Sequence, residues 1–199
     1  MEASLADLGV RGAWEGNPFE SKRWLELQRR VLPSAELRAL RSSDRVMAFF
    51  EALFGEPPLV ERGDVCRVVW PGDPPTRPHQ DHWYVGGSPE VWTLWFPLTP
   101  CPVEAGPLAV IAGSHRGPLL PHVGTGAGSQ GCAPSPDSQW SAVDVAVGDA
   151  VVFNCMTVHR SLPNLRTARP RVSVDCRYQP HSEPIHTARV DGTDARAAG

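Results

Sequence analysis

His79-Gln80-Asp81 sets an imidazole and a carboxylate two residues apart. In an extended chain residues i and i+2 share a face, so both side chains look one way and Gln80 the other. A histidine beside an acid makes two-thirds of the facial triad that holds non-haem iron(II), and the missing ligand has to be another histidine. His159 is the best candidate. It lies 80 residues downstream, after the apolar stretch 150–153 and just before Pro163-Asn164. Distant strands of a barrel can meet at one face, so the separation is no obstacle. Three protein ligands on one side leave the opposite positions for a chelating 2-oxoacid and for O₂. His-x-Asp alone is common, so the surrounding sequence has to carry the rest.

Arg171-Val172-Ser173 repeats the same-face spacing shortly after His159. A guanidinium binds a carboxylate through two parallel hydrogen bonds. The Ser173 hydroxyl can add a third. The pair suits the distal carboxylate of 2-oxoglutarate. The plain alternative is a surface arginine on an edge strand, with most of its neighbours Arg166, Arg169 and Arg177 solvated.

The elements that must position these residues change character near residue 60. Before it, helical spacing dominates: Trp24, Leu25, Leu27 and Val31 fit one helix, and Pro33 punctuates it. Ser34 with Glu36 predicts an N-cap, and the next helix is predicted to run to Phe54, ended by Gly55 and Pro57-Pro58. After residue 60 short apolar runs predict strands at 65–70, 91–98, 108–111, 143–147, 150–153 and 172–178. Gly148-Asp149 predicts a hairpin joining two of them. Residues 117–141 are rich in Gly, Pro and Ser and predict a long loop over one barrel mouth. The pattern predicts a single domain: helices over 1–60, a β-barrel core over 61–180, and a polar tail over 181–199. The fold class is mainly β, a sandwich or barrel with the helices packed outside.

Composition excludes several functions. Of 199 residues 41% are apolar and 21% charged, with a net charge of −3. That balance gives no drive toward nucleic acid or an anionic membrane. No apolar run approaches the ~20 residues needed to span a bilayer. Met1 to Asp7 lacks a basic start and an apolar stretch, so no secretory signal is read there, and Arg196-Ala197-Ala198-Gly199 is no peroxisomal address. The five cysteines form no Cys-x-x-Cys pair and predict reduced, buried thiols in a cytoplasmic protein. Gly124, Gly126, Gly128 and Gly131 mimic a phosphate loop, but no strand leads in and no helix follows. His82 is predicted to point away from the triad and His115 to serve a turn. His122, His181 and His186 are predicted to face solvent. Trp83 and Tyr84 are predicted at the substrate channel, with simple packing as the alternative, and Arg67 on an early strand could face the pocket but is left unassigned.

The ordered pieces Pro78–Tyr84, Leu94–Leu98, Gly106–Gly117, Gly148–Phe153 and His159–Asn164 leading to Arg171 resemble the phytanoyl-CoA dioxygenase family of iron(II)/2-oxoglutarate oxygenases. The resemblance implies a double-stranded β-helix, a jelly-roll or cupin-like barrel with iron inside one end. It implies His79, Asp81 and His159 as iron ligands, Arg171 as the partner of the cosubstrate's distal carboxylate, and Trp95 as a lining of the cofactor pocket. Ordinary barrel core is the alternative for Trp95. The interval from His159 to Arg171 is slightly longer than in some relatives, which leaves Arg169 as a fallback anchor, although Pro170 disfavours a regular strand there. Because Asp81 is present, hydroxylation or desaturation is favoured over halogenation. The substrate expected is a small molecule, an acyl-thioester or a natural-product intermediate. An idle metal-binding module and another cupin-type metalloenzyme remain as alternatives.

Overall fold

The computed structural model describes residues 12, 14, 17–18, 21–61, 63–125, 129–166 and 168–185. The two chain termini read above, His186, Gly126 and Gly128 lie outside them.

Among the described residues, three α-helices precede the strands: α1 (Lys22–Val31), α2 (Ala35–Arg41) and α3 (Asp44–Phe54). Ser21 caps α1 by accepting from the Arg23 amide, and Ser34 caps α2 by accepting from Leu37. The expected single helix from 35 to 54 is two. It breaks at Ser42-Ser43, where Ser43 is extended (φ −65°, ψ 148°). Serines favour such non-helical starts because their side chains compete for backbone groups. Gly55 ends α3 in the left-handed region at φ 73°.

Ten strands follow among the described residues: β1 (Pro58–Val60), β2 (Val65–Val69), β3 (Trp92–Pro97), β4 (Leu108–Ile111), β5 (His122–Val123), β6 (Gly131–Cys132), β7 (Trp140–Ser141), β8 (Val151–Asn154), β9 (His159–Ser161) and β10 (Arg171–Pro180). A short helix, α4 (Asp81–Val85), lies between β2 and β3. One sheet runs β1-β10-β3-β8 with β2 also on β10; a second runs β7-β4-β9; β5 and β6 pair alone. All these pairs are antiparallel. The mainly β class expected from sequence is therefore observed.

Residues 143–147 are not the first arm of a hairpin. Val145 bridges Cys101 instead, and β8 pairs with β3. The Asp149 carboxylate accepts from the Ala146 amide, so the side chain closes a local turn in place of a strand ladder. The expected loop 117–141 carries the short β5–β6 pair and β7.

β10 organises the molecule through its two faces. Val172, Val174, Cys176 and Tyr178 join Cys66, Val68, Leu94 and Phe96 in a core closed by Leu27, Leu37 and Phe50 from the helices. Phe50 stacks on Tyr178 with ring centroids 4.0 Å apart. The opposite face carries Arg171, Ser173, Asp175 and Arg177, all buried. The outer backbone of β2 is covered as well. The Gln28 side chain exchanges two hydrogen bonds with Cys66, and the Trp14 indole donates to the Val68 carbonyl.

Candidate metal centre

His79 and His159 exchange both backbone hydrogen bonds, each 2.9 Å, as an isolated antiparallel bridge. His159 is held on its other side by β4, opposite Val110. Directly opposed residues put their side chains on one face, and the two rings lie 4.2 Å apart. The chain stays extended through Gln80 (φ −116°, ψ 128°), then turns into α4 at Asp81. The i, i+2 argument therefore holds across Gln80, although Asp81 itself opens a helix rather than continuing a strand.

Each histidine has one ring nitrogen committed. His79 Nδ1 donates to the Arg77 carbonyl at 2.8 Å, and His159 Nδ1 to Thr157 at 3.0 Å. Both Nε2 atoms thus carry the lone pair, and each sits 3.7 Å from Asp81 Oδ1. The ligand atoms of all three residues fall within 4.8 Å of one another, and all three are buried. Burial, and next the His159 ring, pushes the His79 imidazole down to about 3, so it is neutral and able to ligate. Burial alone would raise the Asp81 carboxyl. The Arg177 guanidinium and then the two imidazoles outweigh it and hold the group well below the usual carboxylate range.

The same cavity is lined by the triad, Phe153, Arg171, Asp175 and Arg67. Arg171 is 1% exposed, and its Nε and Nη2 find no hydrogen-bond partner among the described residues. Buried polar groups are seldom left so. Two adjacent unpaired donors on one guanidinium match the two oxygens of a carboxylate. Burial pulls Arg171 down to about 10, which leaves it charged at neutral pH. The donor set and the orphaned guanidinium fit a metal ion and an anionic chelator in one cavity.

Other expectations are refined. Ser173 accepts from Arg171 Nη1 at 2.6 Å, so it orients the guanidinium. Trp95 is fully buried in the barrel core, with its ring 5.8 Å from the Arg171 guanidinium. Arg169 is exposed, outside any strand, and is not the anchor. Arg177, one of three arginines expected to be mostly solvated, is buried against Asp81. Arg67 faces the cavity and pairs with Asp175 at 3.0 Å.

His122 is also buried rather than solvent-facing. Its Nε2 accepts from the Gln80 amide and its ring stacks on Trp83. His82 meets the Cys155 thiol at 3.8 Å, while Ser114, not His115, bonds the turn at 111–116 and the Val158 amide. His181 is exposed as expected. Tyr84 lies edge-on to His79 with centroids 5.6 Å apart, and Trp83 is 45% exposed. Ser161, not singled out from sequence, shares the inward face of β9 with His159 and lines the cavity. The i, i+2 rule applied at His159 would have found it.

Residues 13–173 match the family model for phytanoyl-CoA dioxygenase. A 1-deoxypentalenic acid 11-beta-hydroxylase from Streptomyces arenae is 32% identical over 151 residues, 67% of this chain and 53% of the relative. The chain thus spans about half the length of the curated relatives it matches. Among solved structures, the epimerase SnoN in complex with Fe3+, alpha ketoglutarate and nogalamycin RO superposes with a TM-score of 0.66 at 26% identity. The match covers 84% of this chain and 68% of that one. The carbocyclase SnoK from nogalamycin biosynthesis shares the fold, with a TM-score of 0.67 at 23% identity over 96% of this chain and 78% of its own. This chain belongs to the phytanoyl-CoA dioxygenase family.

Proposed function

We propose that this chain is a non-haem iron(II)/2-oxoglutarate-dependent dioxygenase. It hydroxylates, or otherwise oxidises, a small organic substrate and releases succinate and CO₂. One observation carries the reading: a single cavity holds the two-histidine, one-carboxylate cluster together with a buried arginine that has two unpaired donors.

His79 Nε2, His159 Nε2 and Asp81 Oδ1 would hold the iron, and Arg171, oriented by Ser173, would take the distal carboxylate of 2-oxoglutarate. Bound there with its cosubstrates, the iron supplies an oxidant able to attack a C–H bond. The chain's own residues fix the geometry. The Arg77 and Thr157 carbonyls hold both rings in the ligating tautomer. Leu108 and Phe153 give the cavity apolar walls that exclude water. Retention of Asp81 as a ligand favours oxygen transfer over halide transfer.

Of the two substrate classes, the relatives favour a natural-product intermediate over an acyl-thioester. One is named for 1-deoxypentalenic acid, and SnoN was solved with nogalamycin RO. A cytoplasmic location belongs to the same proposal. Its support is five free, buried cysteines and the finding that no described helix is long and apolar enough to cross a membrane.

The test is anaerobic titration with Fe(II) and 2-oxoglutarate, then admission of O₂ and measurement of succinate and CO₂. Turnover is expected in the unaltered protein and not in His79→Ala or His159→Ala. Turnover in both variants at the rate of the unaltered protein would overturn the ligand assignment, and succinate formation undiminished in Arg171→Ala would overturn Arg171 as the oxoacid anchor.

A further inference from the structure

Asp81 offers its two oxygens to different neighbours. Oδ1 faces the two histidine Nε2 atoms at 3.7 Å. Oδ2 accepts from the Thr93 hydroxyl at 2.7 Å and from Arg177 Nη2 at 3.3 Å. The two donors are directly opposed in the β3–β10 register, so the sheet itself aims both at one atom. Arg177 is anchored from behind, donating through Nη1 to the Gly63 carbonyl. Thr93, Asp81 and Arg177 are all buried. Nothing else in the reading above calls for a second buried cation beside a residue meant to hold one.

We propose that Thr93 and Arg177 are positioning residues that clamp Asp81 Oδ2, restrict the carboxylate to one-oxygen ligation, and so keep a metal position open for the cosubstrate. The inference rests on the metal-site reading above. An unclamped carboxylate can rotate and offer both oxygens to an ion, as carboxylates do at other metal sites. That would take up a position that 2-oxoglutarate needs. Arg177 also sets a positive charge close to where a divalent ion would sit, which opposes metal uptake. Its removal therefore pushes two affinities in opposite directions: the metal binds no more weakly, and 2-oxoglutarate binds the loaded protein more weakly. A residue that merely supports the fold would weaken both.

The experiment titrates Co(II), and separately Fe(II) followed by 2-oxoglutarate without O₂, into the unaltered protein, Arg177→Gln, Thr93→Val and Thr93→Ser. For Arg177→Gln and Thr93→Val, metal affinity is expected equal to or tighter than the unaltered protein's. Their 2-oxoglutarate affinity is expected to fall about 10-fold or more, the scale on which outer partners tune metal sites. The Co(II) absorption spectrum should shift as the coordination changes. Thr93→Ser keeps the hydroxyl and should restore 2-oxoglutarate affinity. Thr93→Val is close in shape to threonine, so it reads the clamp even if Arg177→Gln does not fold. Metal and 2-oxoglutarate affinities that fall together, or that both stay unchanged in Thr93→Val, would overturn the clamp alone. An unaltered protein that takes up neither Co(II) nor 2-oxoglutarate would overturn the metal-site reading and the clamp with it.

Discussion

The cavity's two ends are prepared in opposite ways. At the metal end the non-ligating atoms already have partners: two Nδ1 atoms on carbonyls and Asp81 Oδ2 on Thr93 and Arg177. At the anchor end, among the described residues, Arg171 keeps only its bond to Ser173, and two donors stay unpaired. The metal end is thus organised by the fold, whereas the anchor end stores an unsatisfied charge that the proposed 2-oxoglutarate would relieve. The metal end should be costly to break in the empty protein. The anchor end should cost little until ligand is present.

Asp81→Ala breaks the comparison hardest. It removes a proposed ligand and takes from the buried Arg177 its hydrogen-bonded carboxylate, leaving the Gly63 carbonyl and the charges of Asp175 and Asp64. Metal affinity should fall by more than about 100-fold, beyond the span of outer-partner effects. Stability of the metal-free protein should fall by about 3–5 kcal/mol, the cost of orphaning one member of a buried pair. Metal titration and denaturant melts check both. A variant as stable as its parent would mean Arg177 does not depend on Asp81.

Arg171→Met should do the reverse. Loss of a bidentate charged anchor should weaken 2-oxoglutarate binding on the order of 100-fold, about 2.7 kcal/mol. The empty protein should be as stable or more so, because an uncompensated buried guanidinium gives way to a flexible apolar chain of similar length. Calorimetric titration and a thermal melt on one preparation read both. A clear loss of stability would show that Arg171 is already satisfied.

The sequence made the proposed ligands and the proposed anchor legible because each rests on a local rule, the shared face of residues i and i+2 at 79/81 and 171/173. It did not reveal Arg177 or His122, and it left Arg67, a candidate pocket residue, without a partner. A polar side chain gains its role only when long-range pairing supplies that partner: Thr93 opposite Arg177, Asp175 for Arg67, Gln80 for His122. The same lack of long-range pairing hid the fate of 143–147, whose expected partner β8 is taken by β3. The break at Ser42-Ser43 was local and could have been read from the paired serines.

Acid should separate the two ends. His79 is pushed down to about 3 from the usual 6.5, first by burial and then by His159. Between those values the unfolded chain binds a proton that the folded protein refuses. Stability from this group is therefore full above 6.5 and is lost as pH falls toward about 3. One proton sets a slope of up to about 1.4 kcal/mol per pH unit. Denaturant midpoints of the metal-free protein should follow it, and His79→Gln should flatten it. Arg171 stays charged throughout that window, so Arg171→Met should leave the slope unchanged. Equal slopes in His79→Gln and its parent would remove the acid sensitivity from the metal end.

The smallest effect is expected at Trp95. Its indole N–H is buried without a partner among the described residues, and its ring lies 5.8 Å from the Arg171 guanidinium. Trp95→Phe removes the orphaned donor, which favours the variant, and leaves a small void, which opposes it. The two should nearly cancel, with stability changing by about 1 kcal/mol or less. If Trp95 only packs beside the guanidinium, 2-oxoglutarate affinity should fall by less than about 10-fold, the range of a cation–π contact. A loss as large as that of Arg171→Met would mean the indole N–H itself meets the ligand. The orphaned donors at the anchor end would then number three, and the contrast between the two ends would widen.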